Sequence, residues 1–246
     1  MQRTAPTSGV MRLAIVGAGR LGTAIASALR ERAGFELTGP LGRCADAAGS
    51  DIALLCVPDR EIAAAAAFIV PELIVGHCSG ATGLEPLAPH EAFSLHPLMT
   101  VSAAGAQFAG ATAAIDASSD RALQVARLLA DALALDVVHL SPGDRAAYHA
   151  AASIASNFLV TLEAAAERLA ATAGVSREML APLVRATVEN WATLGPEQAL
   201  TGPVARGDER TVTRQRDAVA QRTPELTPLF DALTAATREL VGATPV

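Results

Sequence analysis

The sequence contains no lysine, and all 19 of its basic side chains are arginine. A guanidinium keeps its proton up to a pH of about 12, whereas a buried lysine amine can lose its proton near neutrality. Reaction mechanisms that need a catalytic lysine are therefore excluded for this chain.

Cysteine is also scarce, with three residues, Cys44, Cys56 and Cys78, and no CxxC spacing. Disulfide frameworks and zinc sites need paired or clustered cysteines, so neither is expected. His77 precedes Cys78, but successive strand residues point to opposite faces and make poor joint metal ligands. We predict no metal site and a reducing compartment, the cytoplasm, where the three thiols pack as small apolar groups.

Long apolar runs and blocks of like charge are missing as well. The longest alanine-rich stretch, residues 150–173, is interrupted by Asn157, Glu163, Glu167 and Arg168, so no membrane span is expected. The net charge is −6 without a basic block, which argues against nucleic acid as a partner. Residues 1–10 lack the apolar run of a signal peptide and are predicted to be a flexible tail. A small metabolite is the partner that this composition favours.

Apolar runs typical of buried strands recur along the first part of the chain. Helical patterns such as 59–69 and 119–133 separate several of them, and this alternation predicts an α/β domain with a doubly wound, mainly parallel sheet. From residue 143 onward no strand pattern appears, and glycines punctuate long helical segments. We predict a dinucleotide-binding Rossmann domain over residues 11–142 and an all-helical C-terminal domain over residues 143–246.

A GxGxxG motif follows the first apolar run and opens an alanine-rich helix. Gly17 permits the tight turn, Gly19 lets a pyrophosphate approach the backbone, and Gly22 lets helix and strand pack closely. Arg20 and Leu21 stand at the helix N-terminus, whose amide groups favour an anion. The sequence predicts that these five residues bind a dinucleotide; the alternative is a structural glycine turn in a Rossmann fold that has lost its cofactor.

The end of the second predicted strand indicates which dinucleotide is expected. NAD-selective folds place an acidic residue there to bind the ribose 2′-hydroxyl, but residues 37–43 read LTGPLGR. Arg43 can form forked hydrogen bonds with a 2′-phosphate. We therefore predict NADP as the cofactor, with a solvated loop arginine as the alternative.

Two more predicted strands end with candidate cofactor contacts. Val57 and Pro58 follow the third strand, and Ser79 follows the fourth. The carboxyl ends of strands in a doubly wound sheet face the cofactor, so all three residues are predicted to contact it. Asp59 is also a good N-cap for the next helix, which would explain that segment structurally.

Several motifs in order resemble those of one family. They are the glycine loop, VPD at 57–59, HCSG at 77–80, SLHP at 94–97, YHAA at 148–151 with SN at 156–157, and ALTGP at 199–203 with RGD at 206–208. Together they resemble the Rossmann-like proteins whose C-terminal part is the domain of unknown function 2520 (DUF2520).

This resemblance covers residues 11–240 and implies an architecture similar to those of ketopantoate reductase, pyrroline-5-carboxylate reductase and 6-phosphogluconate dehydrogenase. The helical domain of such proteins closes the substrate cleft and often mediates dimerisation. The resemblance thus implies an NADP-dependent reductase that forms a homodimer.

Hydride transfer to a carbonyl needs a proton donor and fixed dipoles where the alkoxide charge develops. Arg145, His149, Ser153 and Asn157 lie four residues apart on a predicted helix, so neighbours in the series share a face. His149 is the preferred general acid, because its ordinary pKa is about 6.5. Arg145 would then bind a substrate carboxylate. Asn157 would orient the carbonyl or bind a hydroxyl, with help from Ser153 or Ser156. In the alternative, His149 and Asn157 are packed polar residues of a helical core.

Four further residues are weaker candidates. His96 precedes a proline that favours extended backbone, and this pair resembles the His-Pro pair beside the nicotinamide in prephenate dehydrogenases, which implies a place in the active site. Tyr148 is a second candidate proton donor. Thr201 and Arg206 could line the substrate pocket, although the glycine and proline beside them explain the turn there without any ligand.

The sequence therefore predicts a cytoplasmic NADP-dependent oxidoreductase that reduces a small 2-oxo acid of the ketopantoate type. Reduction of a cyclic imine is the second enzymatic interpretation. A non-catalytic NADP-binding regulatory protein is the alternative from another class.

Overall fold

The computed structural model describes residues 10–30, 32–102 and 105–242. The predicted tail, residues 1–10, lies outside this part except for Val10, which is exposed. The chain divides into two compact units, Met1–Ser156 and Asn157–Val246. No helix in the described ranges is long and apolar enough to cross a membrane.

The first unit is built on one sheet with the strand order β2-β1-β3-β4-β5-β6-β7. Neighbouring strands from β2 to β5 are parallel, β6 runs antiparallel to β5, and β7 is parallel to β6. The strands are β1 (Met11–Val16), β2 (Phe35–Leu41), β3 (Ile52–Leu55), β4 (Ile74–His77), β5 (Glu91–Pro97), β6 (Thr112–Ala117) and β7 (Asp136–His139). This topology confirms the predicted α/β class with a doubly wound sheet.

Helices cover both faces of the sheet, because alternate residues of its central strands are apolar on each side. Leu13 and Ile15 of β1 belong to one buried cluster, and Ala14 and Val16 belong to the other. The first unit contains α1 (Arg20–Leu29), α2 (Ile62–Ala66), α3 (Asp120–Ala132) and α4 (Arg145–Ser153). Short 3₁₀ turns precede α2 and α4, at Asp59–Glu61 and Pro142–Asp144.

The described part of the second unit is helical, which confirms the all-helical C-terminal prediction. A π-helical turn, Ile154–Phe158, spans the unit boundary. It is followed by α5 (Leu159–Ala171), α6 (Arg177–Leu194), α7 (Pro196–Ala199), α8 (Glu209–Arg222) and α9 (Thr227–Gly242). Many large apolar side chains of these helices are exposed, among them Val160, Met179, Leu183 and Trp191.

The division between the units differs from the predicted one. The sequence places the boundary between residues 142 and 143, whereas the compact units meet at Ser156 and Asn157. The physical reason is Arg145, which is 6% exposed and bonds to two strands of the sheet. Helix α4 therefore belongs with the sheet, although its sequence pattern resembles that of the helices after it.

Strand β2 also extends further than the apolar run at its start. It runs from Phe35 to Leu41 and so includes Gly39 and Pro40. Gly39 makes this possible, because its φ is +111° and a Cβ there would lie 2.5 Å from the carbonyl oxygen of Ile15. The extension brings the carboxyl end of β2 to within two residues of Arg43.

Candidate active site

The loop after β1 contains two glycines that the fold itself requires. A Cβ on Gly17 would lie 2.3 Å from the carbonyl oxygen of Cys56, and Gly17 also has a φ of +115°. A Cβ on Gly22 would lie 2.0 Å from the carbonyl oxygen of Gly17. Both positions exclude any side chain, because backbone atoms occupy the space that it would take.

Gly19 is different, since nothing within the described chain requires it to be glycine. Its φ is −75°, and a Cβ there would meet no atom within 4 Å. It stands at the N-cap of α1, where no side chain caps the helix and the first turn carries no acidic residue. The open space beside uncapped helix amides fits an anionic ligand such as a pyrophosphate.

The other predicted cofactor residues lie at the start of α1 or shortly after β2, β3 or β4. Arg20 is exposed, and Leu21 packs partly against the core. The Cγ1 atom of Val57 lies 3.2 Å from the place of the missing Gly17 Cβ, and Pro58 is exposed beside it. Arg43 is 64% exposed in its side chain and lies 3.5 Å from Glu61 across a surface ion pair, a contact that contributes little to stability.

The Ser79 hydroxyl forms hydrogen bonds with four protein groups. It donates to Asp59 at 2.8 Å, lies 3.0 Å from the Thr82 hydroxyl, and accepts from the amides of Ala81 and Thr82. Asp59 is the first residue of its 3₁₀ turn and the N-cap is Pro58, so the N-cap interpretation of Asp59 is wrong; its carboxylate accepts a hydrogen bond from the Ser79 hydroxyl instead. A cofactor contact by Ser79 stays a prediction.

His77 lies fully buried below Ser79 and both of its ring nitrogens are used. Nε2 is 2.8 Å from the carbonyl oxygen of Gly83, and Nδ1 accepts from the amide of Ser79 at 3.2 Å. Because the Gly83 carbonyl can only accept, Nε2 carries the proton. Burial lowers the pKa of His77, and the charge of Arg145 acts in the same direction. His77 is therefore a neutral structural residue that shapes the end of β4.

Three ionisable rings meet at the carboxyl end of β5. His96 Nδ1 and the Tyr148 hydroxyl are 2.9 Å apart, and the rings are nearly perpendicular. The rings of His96 and His149 have centroids 6.2 Å apart. Burial lowers the pKa of His96 to about 4, with the neighbouring His149 adding to the shift, and burial raises the pKa of Tyr148. At neutral pH the pair is a neutral imidazole and a neutral phenol.

Gly80 positions the His96 ring. A Cβ on Gly80 would lie 2.8–2.9 Å from the Cε1, Nδ1 and Nε2 atoms of that ring. The imidazole therefore lies flat against the backbone at the end of β4, in space that a side chain would fill. This gives the last residue of the HCSG motif a steric role in the cluster.

Arg145 anchors α4 to the sheet. One of its terminal nitrogens donates to Asp116 and to the Ser94 hydroxyl, each at 2.9 Å, and the other donates to the carbonyl oxygen of Thr82 at 3.2 Å. Its Nε is buried and has no hydrogen-bond partner among the described residues. A substrate carboxylate would have to compete with Asp116 for this guanidinium, so the geometry gives no support to Arg145 as a carboxylate clamp.

The predicted stripe of polar residues extends past the end of α4. Arg145, His149 and Ser153 lie on α4, but Asn157 lies in the π-helical turn Ile154–Phe158. The series of polar residues therefore passes from α4 into a turn with a different hydrogen-bond pattern. Asn157 is exposed and belongs to the second unit, as do the exposed side chains of Thr201 and Arg206.

The structure thus brings together His96, Tyr148 and His149 of the predicted residues, with the charge of Arg145 acting on His96. It adds Gly80 and Asp116, which sequence reasoning missed. A signal existed for Gly80, because it closes the same motif as Ser79. Asp116 had none, since its contact with Arg145 depends on the pairing of β5 with β6. The described residues include no group of three or more His, Cys, Asp or Glu side chains that could hold a metal ion.

Known proteins share this architecture. The model of the family Domain of unknown function (DUF2520) matches residues 111–237. No match is found among curated proteins.

Solved structures similar to the chain include a protein from Bacteroides fragilis described as an NADP oxidoreductase (21% identity, TM-score 0.77, covering 93% of this chain and 98% of that one). Protein TM1727 from Thermotoga maritima is 24% identical (TM-score 0.76, 94% and 98%). The 1-pyrroline-5-carboxylate reductase of Streptococcus pyogenes is 15% identical (TM-score 0.63, 93% and 98%). Identities this low establish a shared fold.

Proposed function

The chain belongs to the family Domain of unknown function (DUF2520), and we propose that it is an NADP-dependent oxidoreductase that reduces a small 2-oxo acid. The observation that carries the proposal is the His96–Tyr148 pair. It lies at the carboxyl edge of the parallel strands, the edge at which the glycine loop opens and at which doubly wound folds bind dinucleotides.

The residues of the glycine loop fit the cofactor. Gly19 leaves open space beside uncapped amides of α1, where a pyrophosphate would bind, and Arg43 would bind the 2′-phosphate. NADPH supplies a hydride when it is bound. The Bacteroides fragilis protein described as an NADP oxidoreductase shares this fold, which supports the same cofactor here.

The His96–Tyr148 pair can provide one proton to a substrate. If the Tyr148 hydroxyl donates to Nδ1, the Nε2–H of His96 is the remaining donor; if Nδ1–H donates to the tyrosine oxygen, the phenol proton remains. Each arrangement of the 2.9 Å contact leaves one proton donor for a developing alkoxide. Because the pKa of His96 is about 4, the imidazole is neutral at physiological pH and polarises the carbonyl without carrying a charge.

His149 has a supporting role in this proposal. It is exposed and its ring lies 6.2 Å from that of His96. An imidazole can accept a proton at one ring nitrogen and donate one from the other, so His149 can return a proton to the pair after each turnover. The general acid thus moves from His149, the residue preferred on sequence grounds, to Tyr148 and His96.

Reduction of a cyclic imine is the second candidate, and Arg145 favours it. Its guanidinium is already bonded to Asp116 and Ser94, so the expected partner of a substrate carboxylate is occupied, which favours a cyclic imine that carries no carboxylate. An iminium carbon accepts a hydride without a proton donor. The Streptococcus pyogenes pyrroline-5-carboxylate reductase shares the fold at 15% identity.

A homodimer is part of the proposal. Helix α6 carries exposed Met179, Leu183, Trp191 and Leu194, with exposures of 48–67%, and a soluble monomer rarely leaves such a stripe uncovered. A second copy of the chain would cover it. A cytoplasmic location follows from the thiols and stays a prediction.

The test measures NADPH consumption by absorbance. The candidate substrates are a panel of 2-oxo acids, ketopantoate among them, and a cyclic imine. NADH replaces NADPH in the control. NADPH-selective turnover of a 2-oxo acid supports the proposal, whereas turnover of the imine alone supports the second candidate. Binding of NADPH without turnover of either class favours a non-catalytic NADP-binding protein. Failure to bind NADPH contradicts all three.

A further inference from the structure

Two thiols lie next to each other beneath the glycine loop. Cys56 follows β3 and Cys78 follows β4. Leu55 pairs with His77 in the parallel ladder, so Cys56 and Cys78 are the next opposed positions and their side chains share one face of the sheet. Their Sγ atoms are 3.8 Å apart. Neither thiol has a part in the proposed reduction.

This arrangement is compatible with a disulfide. Neighbouring strands lie about 4.8 Å apart, and disulfides join residues whose Cα atoms are about 4.4–6.8 Å apart. The sulfurs would have to approach from 3.8 Å to about 2.05 Å. Rotation about the two Cα–Cβ bonds and a small shift of the strand ends supply that movement.

Cys56 also supports the glycine loop directly. Its carbonyl oxygen occupies the space beside Gly17, and its Cβ lies 3.1 Å from where a Cβ on Gly22 would be. Its amide donates to the carbonyl oxygen of Val16, the last residue of β1. A displacement of Cys56 toward β4 therefore moves atoms that pack against Gly17 and Gly22.

We propose that Cys56 and Cys78 form an oxidation-sensitive dithiol, and that its disulfide weakens nucleotide binding at the glycine loop. Formation of the disulfide is independent of the proposed function, whereas the effect on NADPH binding rests on it. The oxidant is a peroxide, which reaches Cys56 because that residue is partly exposed, while Cys78 is 8% exposed.

The reaction has two balanced steps. Hydrogen peroxide transfers one oxygen to the Cys56 sulfur, giving a sulfenic acid and one water molecule. The Cys78 sulfur then attacks the Cys56 sulfur, the S–O bond breaks, and the oxygen leaves as a second water with the Cys78 proton. The two thiols lose two electrons in total, and the peroxide gains them.

The second step should be faster at higher pH. The contact with the Cys56 thiol and burial raise the pKa of Cys78, so little thiolate is present near neutral pH. Because the thiolate is the attacking form, its rate of attack increases with the thiolate fraction. Sulfenic acid at Cys56 is expected to accumulate before the disulfide at neutral pH.

The test uses the full chain carrying Cys44→Ser, which removes the third thiol. Cleavage after arginine places Cys56 in the peptide 44–60 and Cys78 in the peptide 61–121. Mass spectrometry without reductant detects a linked pair, and NADPH titration by fluorescence measures affinity before peroxide, after it, and after dithiothreitol. Cys56→Ser and Cys78→Ala, each added to Cys44→Ser, are the matched controls.

We expect the linked peptides to form and the NADPH affinity to fall about tenfold, with recovery after dithiothreitol and no change in either control. Oxidation of Cys56 to a sulfinic acid without linkage overturns the dithiol. Linkage with unchanged affinity overturns its effect on the loop. If the reduced protein does not bind NADPH, the proposed function fails together with that effect, and the linked peptides alone decide whether the dithiol exists.

Discussion

Replacing Gly19 with alanine tests whether the loop after β1 binds a nucleotide or is only a structural turn. A Cβ at this position meets no atom within 4 Å, and φ is −75°, which alanine adopts without strain. Loss of glycine at a helix N-cap costs about 1 kcal/mol. The smaller conformational entropy of the unfolded alanine chain returns about 0.4–1 kcal/mol. We therefore expect the free energy of unfolding of Gly19→Ala to stay within about 1 kcal/mol of the wild type.

The same methyl group should weaken NADPH binding strongly. It would occupy the open space through which a pyrophosphate approaches the amides of α1. An anion displaced from those amides loses charge-assisted hydrogen bonds, each about 1.5–3 kcal/mol. We expect NADPH affinity to fall at least about tenfold, which corresponds to about 1.4 kcal/mol.

Two matched glycines provide the controls. A Cβ on Gly22 would lie 2.0 Å from the carbonyl oxygen of Gly17, so Gly22→Ala must displace backbone and should destabilise the fold by about 2–3 kcal/mol. Gly242, near the end of α9, has open space like that of Gly19. Gly242→Ala should change neither stability nor affinity.

Urea unfolding followed by circular dichroism and NADPH titration by fluorescence measure the two quantities on the same preparations. The result that refutes the reasoning is wild-type NADPH affinity in Gly19→Ala. Loss of stability in Gly19→Ala as large as that in Gly22→Ala would show instead that the position is a structural turn.

Four further predictions concern the cluster and Arg43. Tyr148→Phe should lower kcat about a hundredfold at unchanged NADPH affinity, since general acids contribute about 10²–10⁴-fold; an unchanged kcat in steady-state assays would assign the proton to another donor. The free energy of unfolding should fall by about 3 kcal/mol as the pH drops from about 6.5 to about 4, because the pKa of His96 is about 4 in the folded protein and the unfolded chain binds more protons across that interval. Urea unfolding of His96→Gln should show a free energy of unfolding that lacks this fall between about pH 6.5 and about pH 4. An identical pH dependence in the wild type and His96→Gln would contradict the role of His96. Arg145→Met should destabilise the fold by about 2–4 kcal/mol, because Asp116 and Ser94 lose their partner; a wild-type urea midpoint would argue against the anchor. Arg43→Gln should weaken NADPH binding about tenfold and leave NADH binding unchanged in parallel titrations, whereas equal losses would contradict a 2′-phosphate contact.

The order and type of most elements of the sheet were predictable because their signals are local. Strand β3 is buried at all four residues, and a central parallel strand covered on both faces must be a continuous apolar run. The steric needs of Gly17 and Gly22 arise within one strand-loop-helix unit, so the motif by itself indicates them. The extension of β2 to Leu41 was missed because its glycine and proline are residues that usually end a strand.

The candidate cluster was predictable only in part. His96 and His149 were singled out because their motifs carry titratable side chains. The partnership of His96 with Tyr148 joins residues 52 positions apart, and nothing in either motif indicates it. The π-helical turn that contains Asn157 has no signal in helical periodicity, which assumes one residue spacing throughout.

The sequence by itself determined the dinucleotide-type loop, the α/β class, the helical C-terminal part and the exclusion of lysine chemistry, because each depends on residue type or on short-range periodicity. The tertiary structure alone decided what the polar side chains bind. Antiparallel pairing sets Ser94 opposite Asp116, and their hydrogen bonds engage Arg145 in the fold. Two further contacts depend on strands that meet only when the sheet forms: Gly80 packs against His96, and Cys56 lies beside Cys78. The chemistry of this edge is therefore a property of the fold.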